Sequence, residues 1–141
     1  MNTVLIVEDT LTDLAIIKGC FQQSGWSVVT ANSGEEANKK LSLQSPDLIV
    51  LDVILPDRSG FEICRDLKKD PKTKQIPVII CSTKNTDVDK MWGNMLGADA
   101  YLSKPVQADD LQQALAAFAG NHGVGRRQLS LAGHDDRGSR L

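Results

Sequence analysis

The chain is poor in cysteine, carries no net positive charge, and has neither a long apolar run nor a glycine-rich phosphate loop. Its three cysteines, Cys20, Cys64 and Cys81, are odd in number, widely spaced and each set within an apolar pattern. No Cys-x-x-Cys pair occurs, so a disulfide framework or a zinc site has no support. The thiols are expected to be reduced core residues in a cytoplasmic setting. A formal net charge of −2 gives no electrostatic footprint for nucleic acid and no basic stripe for an anionic membrane. No apolar run approaches the roughly 18 residues that a membrane span needs, and the N-terminus lacks a charged-then-apolar leader. A soluble protein that is not exported is the expectation.

The chain has 141 residues, 41% of them hydrophobic, a length that suits one domain with a substantial core. Apolar runs rich in β-branched residues alternate with helical patterns, and strands are predicted at residues 3–7, 27–31, 47–51, 77–81 and 100–103. The first, third and fourth are apolar on both faces, as strands covered on both sides must be, whereas the second and fifth alternate and suit the edges. Helical spacing links Leu14, Ile17 and Phe21, then Phe61, Cys64 and Leu67, then Leu111, Ala114, Leu115 and Phe118. Ser33 with Glu36 and Ser59 with Glu62 read as capping boxes, and a fourth helix near residues 87–96 stops at Gly97.

This alternation predicts an α/β fold, an open, doubly wound, five-stranded parallel sheet with helices on both faces. The strand order 2-1-3-4-5, expected in part by analogy with a known family, opens a crevice between the first and third strands. From residue 121 the periodicity dissolves, so the reading is a folded domain over 1–120 and a disordered tail over 121–141. The tail holds four arginines and two aspartates, leaving 12 basic and 16 acidic residues before it. Its Arg126-Arg127-Gln128-Leu129-Ser130 segment reads as part of that extension rather than as a docking or kinase site.

Three of the strands end in residues suited to phosphoryl chemistry: the first in Glu8-Asp9, the third in Asp52, the fifth in Lys104-Pro105. If the strands are parallel, these ends share one edge of the sheet. Carboxylates about 5 Å apart, at an effective dielectric of about 20, repel pairwise by about 3 kcal/mol. Mg2+ removes that conflict, because a hard cation accepts one or two carboxylates, keeps several waters and leaves a place for a phosphate oxygen. Asp9 and Asp52 are the natural direct ligands, Glu8 acts through a water, and the Ile54 backbone carbonyl completes the protein's share. Asp52 can then attack phosphorus as a carboxylate nucleophile, with Lys104 and the Ser82 hydroxyl donating to the phosphoryl oxygens. Pro105 invites a cis peptide that would hold the lysine's loop.

Taken singly these residues have plainer readings. Asp9 could be a helix N-cap, Lys104 a solvated lysine, Ser82 a loop hydroxyl and Tyr101 a half-buried edge-strand aromatic. A complementary set on four separate strand ends outweighs them.

Glu8-Asp9, the segment Leu51-Asp52-Val53-Ile54-Leu55-Pro56-Asp57-Arg58-Ser59-Gly60, Ser82-Thr83 and Lys104-Pro105, in that order and spacing, resemble the receiver domain of bacterial two-component response regulators. The resemblance runs over about residues 2–120 and is the source of the analogy for strand order, a flavodoxin-like arrangement. It implies that Asp52 is the phosphoacceptor, Glu8 and Asp9 the acidic pair, Ser82 the switch hydroxyl, Lys104 the phosphate-sensing lysine and Tyr101 the switch aromatic. It also implies a histidine kinase or histidine phosphotransfer domain as donor, and self-catalysed phosphotransfer rather than turnover of a substrate. Residues 83–90, Trp92-Gly93 and Ala100 to Val106 are similar to stand-alone, chemotaxis-like regulators of type IV pilus twitching motility, with relatives in cyanobacterial phototaxis. A downstream motility or signalling protein is then the expected target. Ile54 and Lys84 occupy positions that tune dephosphorylation in the family, and an apolar Ile54 offers nothing to orient water, so slow self-dephosphorylation is expected.

On phosphorylation, about two negative charges are added at Asp52. By analogy Ser82 moves toward them, Tyr101 rotates inward, and the surface of the fourth helix, fifth strand and fifth helix near Trp92 changes. Of Met91, Trp92, Met95 and Leu96, at least one four-residue pair is expected to be core. With no output domain after Gly120, signalling is expected through protein contacts. Among the alternatives, an aspartyl-phosphate-type phosphatase normally needs a second aspartate where Ile54 stands. A Rossmann-type nucleotide module lacks its glycine loop, and a pseudo-receiver that binds partners without phosphorylation would not need every site position filled.

Overall fold

The computed structural model describes residues 2–122, with side chains to residue 118. Five strands, β1 (Thr3–Val7), β2 (Ser27–Ala31), β3 (Leu48–Leu51), β4 (Val78–Ser82) and β5 (Ala100–Ser103), alternate with α1 (Leu11–Gln23), α2 (Gly34–Leu43), α3 (Gly60–Lys69), α4 (Asp87–Met95) and α5 (Ala108–His122). All neighbouring strands pair in parallel, in the order β2-β1-β3-β4-β5. The fold is thus the doubly wound one that the alternation of patterns predicts. β3 and β4 each begin one residue later than their apolar runs suggest, because Asp47 and Pro77 serve the flanking loops. Asp47 accepts the Thr3 N–H through its carboxylate at 2.8 Å, and a proline has no N–H to give the ladder.

The chain divides into two units after Pro105. In the first, alternation along the three central strands supplies two apolar faces. Leu5, Val7, Ile49, Leu51, Val78 and Ile80 join Phe61, Ile63, Cys64 and Leu67 of α3 in one cluster. On α1, Ile17 and Phe21 are buried while Leu11 and Ile16 are exposed. β1, β3 and β4 are almost wholly buried and the edge strands only partly so. Burying one such aliphatic side chain contributes roughly 1.5–3 kcal/mol, so this continuous core fixes the register in which the strand ends align. In the second unit, α5 carries Leu111, Leu115 and Phe118 on one helical stripe. It runs two residues past the expected boundary at 120, since backbone hydrogen bonding outlasts the apolar pattern that marked the domain's end. The remainder of the expected tail lies outside the described residues.

The helix starts differ from the expected capping boxes. Ser33 Oγ accepts the Glu36 N–H at 3.1 Å, but the Glu36 carboxylate reaches Asn32 N–H rather than that of the cap residue. Ser59 Oγ accepts the Phe61 N–H, while Glu62 turns to Arg58 at 3.2 Å. A nearby guanidinium outcompetes a backbone N–H for that carboxylate. The reciprocal box occurs instead at α4, between Thr86 and Asp89. A cap also comes from a distance: the Asp57 carboxylate accepts the N–H groups of Gly34 and Glu35, each at 2.9 Å. That bond pair joins the loop after β3 to the start of α2 and holds the Asp57 carboxyl below its usual value.

α4 departs from expectation on its exposed side. Met91, Trp92 and Met95 are all exposed and only Leu96 packs on the core, so neither four-residue pair is buried. The inward position is Gly93, where a Cβ would come within 2.8 Å of Tyr101 Cδ2. The aromatic ring fills the place that a larger α4 residue would take. Gly97, with φ +103°, ends the helix as predicted.

Candidate functional site

The ends of β1, β3, β4 and β5 bring the predicted residues to one edge of the sheet. Glu8 follows β1, and its N–H donates to Ala31 O at 2.9 Å. Asp52 follows β3 and donates its N–H to Val7 O at 3.1 Å. Lys104 follows β5, donates its N–H to Ser82 O at 3.1 Å, and precedes Pro105 through a cis peptide. The sheet's backbone bonds therefore set the spacing of the side chains above them.

Glu8, Asp9 and Asp52 each offer a carboxylate oxygen within 4.8 Å of the others. Glu8 and Asp52 are buried and Asp9 is exposed. Asp9 is not a helix cap, because the N-cap of α1 is Thr10, whose side chain makes no capping bond. The plainer reading of Asp9 thereby loses its support.

Lys104 Nζ lies 2.6 Å from Glu8 Oε1, 2.9 Å from Asp52 Oδ2 and 3.0 Å from Asp13 Oδ2. The contacts to Asp52 and Asp13 are hydrogen bonds; that to Glu8 Oε1 is an ion pair outside hydrogen-bonding angles. Burial pulls the ammonium's pKa down, but Glu8, Asp52 and Asp13 outweigh it and hold the lysine above its ordinary value. The Glu8 carboxyl is pushed up by burial, assisted by the Asp52 charge and opposed by Lys104 and by the Thr10 N–H bonded to Oε2 at 3.1 Å. Three carboxylates thus face one ammonium, and Asp9 adds a fourth beside Glu8 and Asp52. The unbalanced negative charge and the hard oxygen donors suit a small divalent cation.

Asp52 is held at both oxygens, Oδ2 by Lys104 and Oδ1 by the Ile54 N–H at 3.2 Å. The Ile54 side chain is exposed. Ser82 is fully buried, and its Oγ accepts the Lys84 N–H at 3.1 Å. Tyr101 is already tucked inward: its ring lies 6.5 Å from that of Phe61, and its hydroxyl donates to the Lys84 carbonyl. Burial, helped by the Asp89 and Asp52 charges, pushes the phenol up to about 12. Lys84 Nζ in turn pairs with Asp89 Oδ1 at 3.1 Å, tying the loop after β4 to the α4 cap.

Burial raises the thiol pKa of Cys64 to about 11 and of Cys81 to about 12, and both side chains are buried. No helix among the described residues is long and apolar enough to cross a membrane.

Sequence reasoning missed Asp13. The available signal was an acidic residue in the first turn of the helix that leaves the acidic pair, one turn beyond Asp9. It missed Asp57 and the Thr86–Asp89 box for a different reason. The first acts across 22–23 residues, and the second uses aspartate where glutamate is the usual signature.

Residues 4–116 match the family described as the response regulator receiver domain. The chain belongs to that family. Receiver domains are signalling modules of two-component systems that take up a phosphoryl group on an aspartate. Protein PilH of Pseudomonas aeruginosa is 35% identical over 117 residues, 83% of this chain and 97% of that protein. Among solved structures, the Vibrio cholerae chemotaxis protein CheY4 superposes with a TM-score of 0.75 at 30% identity, over 82% of this chain and 96% of that one. The Mn2+-bound form of response regulator Rcp1 gives 0.70 at 26% identity, over 84% and 93%. Curated transcriptional regulators also match, but this receiver spans only 47–54% of their length.

Proposed function

We propose that the protein is a phosphoacceptor response regulator, phosphorylated on Asp52 and acting through protein contacts in a two-component phosphorelay. The observation that carries this reading is the convergence of Glu8, Asp9, Asp52 and Lys104 in one pocket. Its oxygen donors fit Mg2+, with Asp9 and Asp52 as direct ligands, Glu8 through a water and the Ile54 carbonyl completing the set. When bound, the cation would offset the carboxylates and polarise a phosphoryl oxygen. That the similar response regulator Rcp1 has a Mn2+-bound form supports a divalent ion as a ligand of this fold.

An Asp52 carboxylate oxygen attacks the phosphorus of a phosphohistidine on a kinase or phosphotransfer domain. The P–N bond breaks, its electron pair returns to the imidazole, which takes up a proton from water, and Asp52 is left as an acyl phosphate. Lys104 already lies against Asp52 and donates to a phosphoryl oxygen, while Ser82 donates its hydroxyl to another. Because Tyr101 is bonded to Lys84 O, movement of Ser82 toward the phosphoryl group draws the loop and the aromatic together. The exposed face of α4, with Val88, Met91, Trp92 and Met95, is where a downstream protein would read the change. Exposed, apolar Ile54 and a Lys84 held by Asp89 leave no group to orient water, so the phosphoprotein decays slowly. Residues 1–120 act as the receiver unit, in the cytoplasm, with 121–141 as an appended tail. A motility role is supported by the match to PilH and by the resemblance to pilus regulators around Trp92.

The test is incubation of the chain with acetyl phosphate and Mg2+ followed by intact mass. Gain of one phosphoryl group, abolished by EDTA and by Asp52→Asn, is expected. No gain under donor excess, or an undiminished gain in Asp52→Asn, contradicts the reading.

A further inference from the structure

Of the three carboxylates around the Lys104 ammonium, two belong to the cation cluster and one does not. Glu8 and Asp52 are shared with that cluster. Asp13, on the first turn of α1, contacts Lys104 Nζ at 3.0 Å from 91 residues away. The ammonium donates hydrogen bonds to Asp52 and Asp13 and pairs with Glu8 by charge. A cation would draw the Glu8 and Asp52 oxygens to itself, and phosphorylation would convert the Asp52 carboxylate into an acyl phosphate. Asp13 is the partner that neither event removes.

We infer that Asp13 is a positioning residue for phosphotransfer, a fixed strut that holds the Lys104 ammonium over Asp52 while its other two partners change. This inference rests on the phosphoacceptor reading for its function and on the ion-pair geometry for its mechanism. The lysine side chain is nearly fully buried, whereas that of Asp13 is 28% exposed. The pocket thus keeps the ammonium dry and leaves its anchor at the rim. Asp13 touches neither the phosphorus nor the attacking oxygen and acts only through Lys104. Once Glu8 and Asp52 turn to the cation, Asp13 is the ion-pair partner of Lys104 Nζ that remains.

The experiment uses the full chain as wild type, Asp13→Asn and Asp13→Glu. Phosphoprotein formation from acetyl phosphate and Mg2+ is followed by intact mass, and the Lys104 NH3+ resonance by 15N-edited NMR without donor. Loss of a charge-assisted hydrogen bond that positions, but does not perform, the chemistry is expected to slow Asp13→Asn about fivefold. Asp13→Glu, which keeps the charge, should stay within about twofold of wild type. The Lys104 ammonium protons should exchange with water faster in Asp13→Asn, a change that a purely structural role of Asp13 in α1 would not produce. An unchanged or faster phosphorylation rate in Asp13→Asn, equal slowing in both variants, or unaltered ammonium exchange overturns the inference. If wild type takes up no phosphate, the phosphoacceptor reading fails, and the exchange measurement alone decides whether Asp13 holds Lys104.

Discussion

Replacing Gly60 with alanine is expected to damage both stability and phosphorylation, while the same change at Gly93 is tolerated. Gly60 opens α3 and donates its N–H to Val53 O at 2.8 Å, which presses the helix start against the backbone that carries Asp52. A Cβ there would overlap the Asp52 carbonyl oxygen and sit 2.8 Å from both the Asp52 carbonyl carbon and Val53 Cα. All three are backbone atoms, so relief requires α3 and the strand end to separate by about 1 Å, given that nonbonded carbon contacts settle near 3.5–4 Å. Overpacking of this kind costs about 1–3 kcal/mol, and stretching the buried hydrogen bond costs about 1 kcal/mol. Alanine's better helix propensity returns at most about 1 kcal/mol. The net is about 2 kcal/mol, which lowers the melting temperature of a domain of this size by roughly 8 °C. At Gly93 the Cβ meets side-chain atoms only, Tyr101 Cδ2 at 2.8 Å, Cε2 at 3.0 Å and Ile80 Cδ1 at 3.3 Å. A ring can tilt away, and the helix-interior position gains from alanine, so the change should fall within about 1 kcal/mol of neutral. Urea denaturation of the three proteins, with acetyl phosphate labelling of each, measures both effects. Wild-type stability in Gly60→Ala, or an equal loss in Gly93→Ala, would refute the reasoning.

Asp57→Asn removes the carboxylate that caps α2 from the loop after β3. Since the folded carboxyl lies below its usual value, its contribution is present above the unfolded value of about 3.9 and disappears as pH falls through the folded one. The variant should melt below wild type at pH 7 and converge with it in strong acid, whereas a gap that persists unchanged at pH 2 would exclude this origin. Trp92→Ala, on the exposed face of α4, should leave stability within about 0.5 kcal/mol by urea denaturation. A loss of several times that amount would mean that Trp92 packs as core.

The sheet was legible because its signals are local and redundant. Each central strand is an unbroken apolar run, each edge strand alternates, and the chemistry-bearing residues follow directly on four strand ends. Asp52 and Lys104 could be paired from sequence once the order of strands was supposed, since parallel strands must end together. Helix starts were less legible, because the competition that decides them is tertiary. Glu62 had the right spacing for Ser59, yet Arg58 took it, and nothing near Gly34 announces that Asp57 will cap it. The α4 face misled for a related reason. Helical periodicity marks which residues align, but not which stripe turns inward, and a glycine at position 93 lets Tyr101 fill the contact that Met91 or Trp92 would otherwise make. Asp13 was hidden because a first-turn acid is ordinary on any helix, and only the Lys104 ammonium beside it gives it a role.

The most direct measurement is a crystal structure of the chain with Mg2+ and beryllofluoride, which stands in for the phosphoryl group. The account predicts an adduct on the Asp52 carboxylate, the cation on Asp9, Asp52 and the Ile54 carbonyl, and Lys104 Nζ against a fluoride. A cation bound elsewhere, or an adduct with Lys104 turned out of the pocket, would contradict it.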